Sequence, residues 1–311
     1  MSVDNQLERI DRARELEGFR NEPAQMRAAA PGKVGELRLG FSIRNGRSVL
    51  HDLYRVAPLL VQQALYWDEA MPELPVCSVI SIGGGLLQGD RYRIHVSVGE
   101  GACAHVTTQG ATRIHQMDAN YASQYMDIRI DARGYLEYLP QFTIPYRNSR
   151  FISRTDIVID ESATLVFADM FMSGRKYHHA SERFGLDMLS MQLCVKRPDG
   201  RHIFSEKVLI DKSNRTLEFA AVARGYDAFA NVVCLTPPDV AARIAGRVEI
   251  NAAANARRAM SGVSRLPNGA GLMFRALGVE TYDVRAEVRR FWRVAREEAR
   301  GRTLPDEFLW Q

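Results

Sequence analysis

The stretch Arg91-Tyr92-Arg93-Ile94-His95-Val96-Ser97-Val98-Gly99-Glu100-Gly101-Ala102-Cys103-Ala104-His105-Val106 decides the fold. Tyr92, Ile94, Val96 and Val98 alternate with Arg91, Arg93, His95 and Ser97, which puts one face of a strand on a core and the other toward water. A short polar corner and a small residue follow, and a second apolar strand begins around His105 and Val106. The same unit recurs. Ile128-x-Ile130 leads through Asp131-Ala132-Arg133-Gly134 into Tyr135 to Leu139, and Ile157-x-Ile159 leads through Asp160-Glu161-Ser162-Ala163 into Leu165 to Phe167. The spacings are 32 residues (98 to 130) and 29 residues (130 to 159). A single unit cannot bury its apolar face, so the repeat predicts a β-helix-like stack of strands. A simple meander with similar turns is the alternative.

Period two continues outward from this core. Met126, Ile128 and Ile130 alternate with Asp127 and Arg129, and Leu189, Met191, Leu193 and Val195 alternate with Ser190, Gln192, Cys194 and Lys196. Arg197-Pro198-Asp199-Gly200-Arg201 reads as a hairpin turn, because Pro presets φ and Gly accepts positive φ. After Pro237-Pro238 the pattern becomes helical, with Asp239 as candidate N-cap. Val284, Val288, Phe291 (or Trp292) and Ala295 fall on one helical stripe. The expectation is a mainly β protein with a few α-helices, mostly in the C-terminal part. Residues 1–32 form a charged, then Ala-rich extension (a short helix or an arm), 33–300 a β-rich domain with C-terminal helices, and 301–311 a tail.

Composition narrows the function. With 311 residues, 46% hydrophobic and 25% charged, the chain carries too much apolar content for disorder. The net charge of +4 is no nucleic-acid footprint. The Arg-rich segment 285–302 includes Glu287, Glu297 and Glu298 and reads as a solvated helix face. No apolar run approaches a membrane span. Cys77, Cys103, Cys194 and Cys234 form no CxxC pair and read as buried reduced thiols, which places the protein in the cytoplasm.

No familiar catalytic motif is present. Gly83-Gly84-Gly85-Leu86-Leu87-Gln88-Gly89-Asp90-Arg91 lacks the Lys-Ser/Thr of a phosphate loop and is followed by a strand, so it reads as a tight turn whose backbone approaches another surface. No GxSxG occurs. His178 and His179 are adjacent and would point to opposite faces of a strand, which makes them a weak metal candidate at best. The acids inside β-runs are more informative: Glu137 shares a face with Tyr135 and Leu139, and Asp169 with Phe167 and Phe171. Each is costly there unless paired or hydrated. Arg91, Arg113, Arg147 and Arg175 are candidate partners. Two readings remain open, a buried ion pair that fixes the fold or a hydrated path for a divalent cation.

The chain also resembles the urease accessory protein UreD family (also called UreH). The matching pieces run in order from Arg47-Ser48-Val49-Leu50 and Pro58-Leu59-Leu60-Val61-Gln62-Gln63-Ala64-Leu65-Tyr66 through Gly84-Gly85-Leu86-Leu87-Gln88-Gly89-Asp90-Arg91. Then come Val106-Thr107-Thr108-Gln109-Gly110-Ala111-Thr112-Arg113, Leu136-Glu137-Tyr138-Leu139-Pro140-Gln141, Ile144-Pro145-Tyr146, Asp169 and Gly174-Arg175. Gly271-Leu272, Arg275-Ala276-Leu277-Gly278 and the Trp292 helix complete a match over roughly residues 33 to 296. Ser181-Glu182 stands where the family has Gly-Glu.

The resemblance implies no catalysis. It implies a scaffold that binds apo-urease and UreF, which recruits the GTPase UreG, with nickel passing through an internal tunnel as GTP is hydrolysed on UreG. No tightly bound cofactor is implied. Carried onto this chain, Asp90, Glu137, Asp169 and Arg175 become candidates for the nickel path. Gly84, Gly85, Gly89, Thr107, Thr108, Gln109 and Pro140 belong to the family's structural motifs, and Arg275 and Trp292 are candidates for partner contact. Few, separated carboxylates suit transit, whereas Cys or paired His would trap nickel. The competing functions are a β-solenoid carbohydrate-active enzyme, which needs two acids at a defined separation, and a general binding module.

Overall fold

Val98, Ile130 and Ile159, the three strand ends of the repeat, pair side by side in one register: Val98 with Ile130 and Ile130 with Ile159. A computed structural model of the chain describes residues 10–19, 32–212, 223, 225–251 and 258–306. The strands are β1 (Val34–Arg44), β2 (Arg47–Val56), β3 (Leu59–Leu60), β4 (Val76–Ser81), β5 (Arg91–Val98) and β6 (Cys103–Thr108). They continue as β7 (Thr112–Ile114), β8 (Ala122–Ile130), β9 (Tyr135–Tyr138), β10 (Thr143–Pro145), β11 (Arg150–Ile159) and β12 (Thr164–Met172). The last are β13 (Met188–Lys196), β14 (His202–Asp211), β15 (Ala228–Leu235), β16 (Ala259–Arg265) and β17 (Gly271–Gly278). Among the described residues, the α-helices α1 (Pro238–Arg247) and α2 (Thr281–Arg300) lie in the C-terminal part.

The chain passes repeatedly from one sheet to another. The first sheet has the order β14-β13-β11-β8-β5-β1-β2, and the second β16-β17-β15-β12-β9-β6-β4-β3, with β10 joined to β12 and β7 to β10. Each predicted corner carries the chain across: β5 to β6, β8 to β9 and β11 to β12. The corners close on themselves (Ala102 N to Gly99 O, 3.0 Å; Gly134 N to Asp131 O, 3.0 Å) and bond to one another (Gly101 N to Ala132 O, 2.9 Å).

The expected β-helix-like stack is nevertheless corrected. Both sheets are mixed, and together they make no solenoid. The parallel run of the first sheet ends at β13, because the Arg197–Arg201 turn, with Gly200 at φ +88°, reverses the chain into antiparallel β14. In the second sheet β12, β15, β17 and β16 pair antiparallel in turn.

Three layers result. Leu37, Leu39, Ile94, Val96 and Ile128 of the first sheet pack against Val106, Leu136, Leu165 and Phe167 of the second. The other face of the second sheet, including Val166, Cys234 and Phe274, is covered by Val284, Val288, Phe291, Trp292 and Ala295 of α2. The predicted stripe thus forms, and it buries Phe291 and Trp292 alike. α1 begins two residues earlier than expected: Pro237 is the N-cap, and Asp239 sits in the first turn, where it accepts from Arg243 Nη1 at 2.9 Å.

On the outer face of the first sheet, Ile10 and Leu16 pack on Tyr121, Tyr125, Ile152 and Met188. Glu15 anchors this segment by accepting from Ser190 Oγ at 2.7 Å and Lys207 Nζ at 2.6 Å. The rest of the extension, 1–9 and 20–31, and tail residues 307–311 lie outside the described residues.

Candidate functional site

Strand parity directs Asp169 into the layer between the sheets, where a cavity of about 260 Å³ lies. The first sheet lines it with Ile94, Gln124, Met126, Ser153, Thr155 and Met191, and the second with Val79, Tyr138, Phe167 and Asp169. Gln124 and Ser153 occupy core-facing positions in one register (Tyr92 beside Gln124, Gln124 beside Ser153, Ser153 beside Met191), so a polar row interrupts an otherwise apolar face. Gly84, Gly85 and residues 109–113 form its mouth.

The glycine-rich turn builds that mouth as its sequence suggests. Gly85 has φ +139°, and a Cβ there would fall 2.5 Å from Arg113 O. Leu86 N donates to the same carbonyl at 2.8 Å. Gly84 and Gly89 also have positive φ. Thr107 Oγ1 donates to Leu139 O at 2.7 Å, and Thr108 Oγ1 accepts from Gln141 N at 2.9 Å, so both threonines hold the neighbouring segment. Gln109 and Pro140 line the cavity.

Asp169 has no hydrogen-bond or ion-pair partner among the described residues. Burial, and secondarily the negative charge of Glu206, push its carboxyl up to about 7. It therefore exchanges a proton near neutrality.

Glu137 lies on the opposite face of the same sheet, toward α2. Arg296 donates Nε to its Oε1 and Nη2 to its Oε2, both at 2.7 Å, and Nη1 bonds Asp68. Tyr135 Oη donates to Glu137 Oε1 at 2.6 Å, and His105 Nδ1 lies 2.8 Å from Oε2. Asp68 in turn accepts from Ala70 N and Met71 N. Burial alone would raise the Glu137 carboxyl, but the Arg296 guanidinium overrides it and holds it far below the usual carboxylate range. The buried-ion-pair reading is thus correct for Glu137, with Arg296 in place of the four arginines expected from sequence. Arg296 is fully buried, so one arginine of segment 285–302 does not belong to the solvated helix face expected there. Because Glu137 and Asp169 face opposite sides of one sheet, they do not flank a common substrate as glycosidase acids must.

The remaining candidates are dispersed. Asp90 is buried and accepts from Lys33 N at 2.8 Å and Leu87 N at 2.9 Å, which ties the glycine-rich turn to β1. Arg175 forms a two-pronged pair with Glu182 (3.1 and 2.7 Å) and stacks over Tyr146 at 3.8 Å. Glu182 of the Ser181-Glu182 variant thereby keeps a buried acid beside Arg175, held below its ordinary range first by that hydrogen bond. His178 and His179 are exposed, and His179 Nδ1 lies 2.8 Å from Ser181 Oγ. Arg275 is exposed on β17 and paired with Glu206. Trp292 has no exposed surface; it stacks on His105 at 5.3 Å and offers nothing to a partner directly.

Sequence reasoning missed Arg296, Gln124, Ser153 and Thr155. The signal for the last three was a polar residue at inward parity beside Met126, Phe151 and Ile157. For Arg296 the signal was its place, one residue after Ala295 on the buried stripe.

A profile described as the UreD urease accessory protein matches residues 33–311. The chain belongs to the UreD urease accessory protein family. Urease accessory protein UreD 3 of Methylorubrum populi is 67% identical over 311 residues, covering 100% of both chains. UreD 2 of Methylorubrum extorquens is likewise 67% identical over 311 residues, at full coverage of both. UreD of Yersinia pseudotuberculosis is 48% identical over 299 residues, 96% of this chain and 93% of that one. Membership of UreD makes the chain an accessory protein rather than an enzyme. No helix among the described residues is long and apolar enough to cross a membrane.

Proposed function

We propose that this chain serves urease maturation as a cytoplasmic scaffold. It binds apo-urease and UreF, and through UreF the GTPase UreG. Nickel, the cargo, crosses it through the cavity between the sheets during GTP-dependent insertion. The observation that carries this reading is Asp169, an acid without an ion-pair partner among the described residues, facing an internal cavity of about 260 Å³. A half-buried carboxyl with no counter-charge beside it is costly, and its retention here is accounted for by an intermittent cation. One carboxylate among the neutral oxygens of Gln124, Ser153 and Thr155 attracts a hydrated divalent ion yet holds it weakly enough to release it. Proton loss near neutrality lets the carboxyl meet the cation as an anion and be reprotonated afterwards.

The test is reconstitution of urease activation with UreF, UreG, GTP, nickel and apo-urease. Asp169→Asn should keep co-purification with UreF and apo-urease intact and lower the nickel content of urease several-fold. Full nickel loading with Asp169→Asn would sink the path. Loss of co-purification by the parent chain would sink the scaffold.

A further inference from the structure

Beyond Asp169 a polar row continues toward solvent. Asp169 on β12 pairs in register with Asn231 on β15, and Asn231 with Arg275 on β17. Cross-strand partners share a face, so the three side chains lie in one line across the inner face of the second sheet. A small cavity of about 20 Å³, room for about one water, is lined by Asp169, Asn231 and Glu206 together with apolar neighbours. It shares Phe167, Asp169 and Met191 with the large cavity, so Asp169 stands in the wall between the two.

Glu206 comes from β14, the edge strand of the opposite sheet, and Arg275 reaches across to it with Nη2. The Glu206 side chain is 17% exposed and that of Arg275 58%. Arg275 is thus the more exposed partner of a pair whose less exposed member, Glu206, lines the small cavity.

We propose that the Glu206–Arg275 ion pair is a latch that closes a second mouth of the inter-sheet cavity, across Asp169 from the mouth at Gly84 and Arg113. The proposal rests on the reading of that cavity as a cation path. It gives the path two ends, one framed by glycine backbone and one held shut by charge. The latch joins the two sheets only through side chains, so it opens by rotation about single bonds without breaking a strand ladder. A half-exposed pair is held weakly, as a latch must be. When the latch is shut, Glu206 is neutralised by Arg275. A divalent cation arriving at Asp169 competes with Arg275 for Glu206, so arrival of cargo and release of the latch favour each other.

Thiol labelling tests this in the full-length chain. Leu193 lines the small cavity and is 5% exposed, so Leu193→Cys places a reporter behind the latch. Its rate of reaction with a small methanethiosulfonate reagent is read against the chain carrying only its native cysteines. Glu206→Gln and Arg275→Gln break the pair from opposite sides, and each should raise the rate about tenfold or more. Arg275→Lys keeps the charge and should restore the slow rate. An unchanged rate in both Gln variants overturns the latch, as does equally fast labelling with Arg275→Lys. Nickel delivery by Gln124→Trp, which fills the large cavity, decides the underlying path reading separately, so either can fail without the other.

Discussion

Arg296 grips both carboxylate oxygens of Glu137 at 2.7 Å, joining the last turns of α2 to β9 across 159 residues of sequence. Both side chains have no exposed surface. Their charges therefore interact at low dielectric: removing Arg296 strands both Glu137 and Asp68, and removing Glu137 leaves Arg296 with Asp68 as its charged partner.

Arg296→Met or Glu137→Gln should accordingly cost about 3–5 kcal/mol, read as a fall in the urea midpoint. The double variant Glu137→Leu with Arg296→Met should recover part of that loss, since Glu137 is no longer stranded and only Asp68, still bonded by Ala70 N and Met71 N, loses its charged partner. If the double variant is as destabilised as the sum of the singles, the pair is not the coupled unit described here.

Asp169 sets a pH dependence. Its carboxyl is near 7 in the folded chain, and about 3.9 when unfolded. Below pH about 4 both states hold the proton and the group is neutral toward stability. Between about 4 and 7 the unfolded state releases its proton first, so stability falls as pH rises, and the loss is complete above about 7. Asp169→Asn keeps the uncharged form throughout. Its melting temperature should match that of the parent at pH 4, exceed it increasingly up to pH 7, and hold a constant lead at pH 8. A lead that is flat across this range would mean that Asp169 does not titrate there.

Gly85→Ala should damage the cavity mouth. The substitution forces a Cβ to within 2.5 Å of a backbone carbonyl at φ +139°, a strain of about 1–3 kcal/mol. Gly110→Ala, in the same lip with open space at the Cβ position, should be close to neutral. Thermal midpoints of the two variants give the comparison. Equal effects would contradict the close approach of the turn to Arg113.

The N-terminal segment should detach when its apolar anchor is removed. Leu16 is fully buried against the outer face of the first sheet. Leu16→Asp should speed tryptic cleavage after Arg12 and Arg14 by tenfold or more while the β domain resists. An unchanged digestion rate would show that Leu16 does not hold the segment down.

Much of this architecture was legible in the residues because it rests on local rules. Alternation at Tyr92 to Val98 marked a strand with one dry face, the corners at 99–102, 131–134 and 160–163 marked passages between sheets, and Pro198-Asp199-Gly200 marked a reversal. Parity set each acid beside its own strand neighbours, Glu137 with Tyr135 and Leu139 and Asp169 with Phe167 and Phe171, the register of β9 against β12 put the two on opposite faces, and the ordered motifs pointed to the family. What each acid does on its face was not legible, because the partner of a buried charge is chosen by packing between distant segments. Glu137 met Arg296 only when α2 was laid on the second sheet. Asp169 was left facing a cavity only when polar side chains from β8 and β11 failed to fill the space opposite. The extent of the repeat was likewise a tertiary matter, since antiparallel flanks joined by hairpins end the parallel stack. Sequence determined the strands, their faces and the family, through steric and hydrophobic periodicity. Tertiary structure decided which strand carboxylate was neutralised and which was left to meet a cavity, because electrostatic pairing depends on distances that no local pattern encodes.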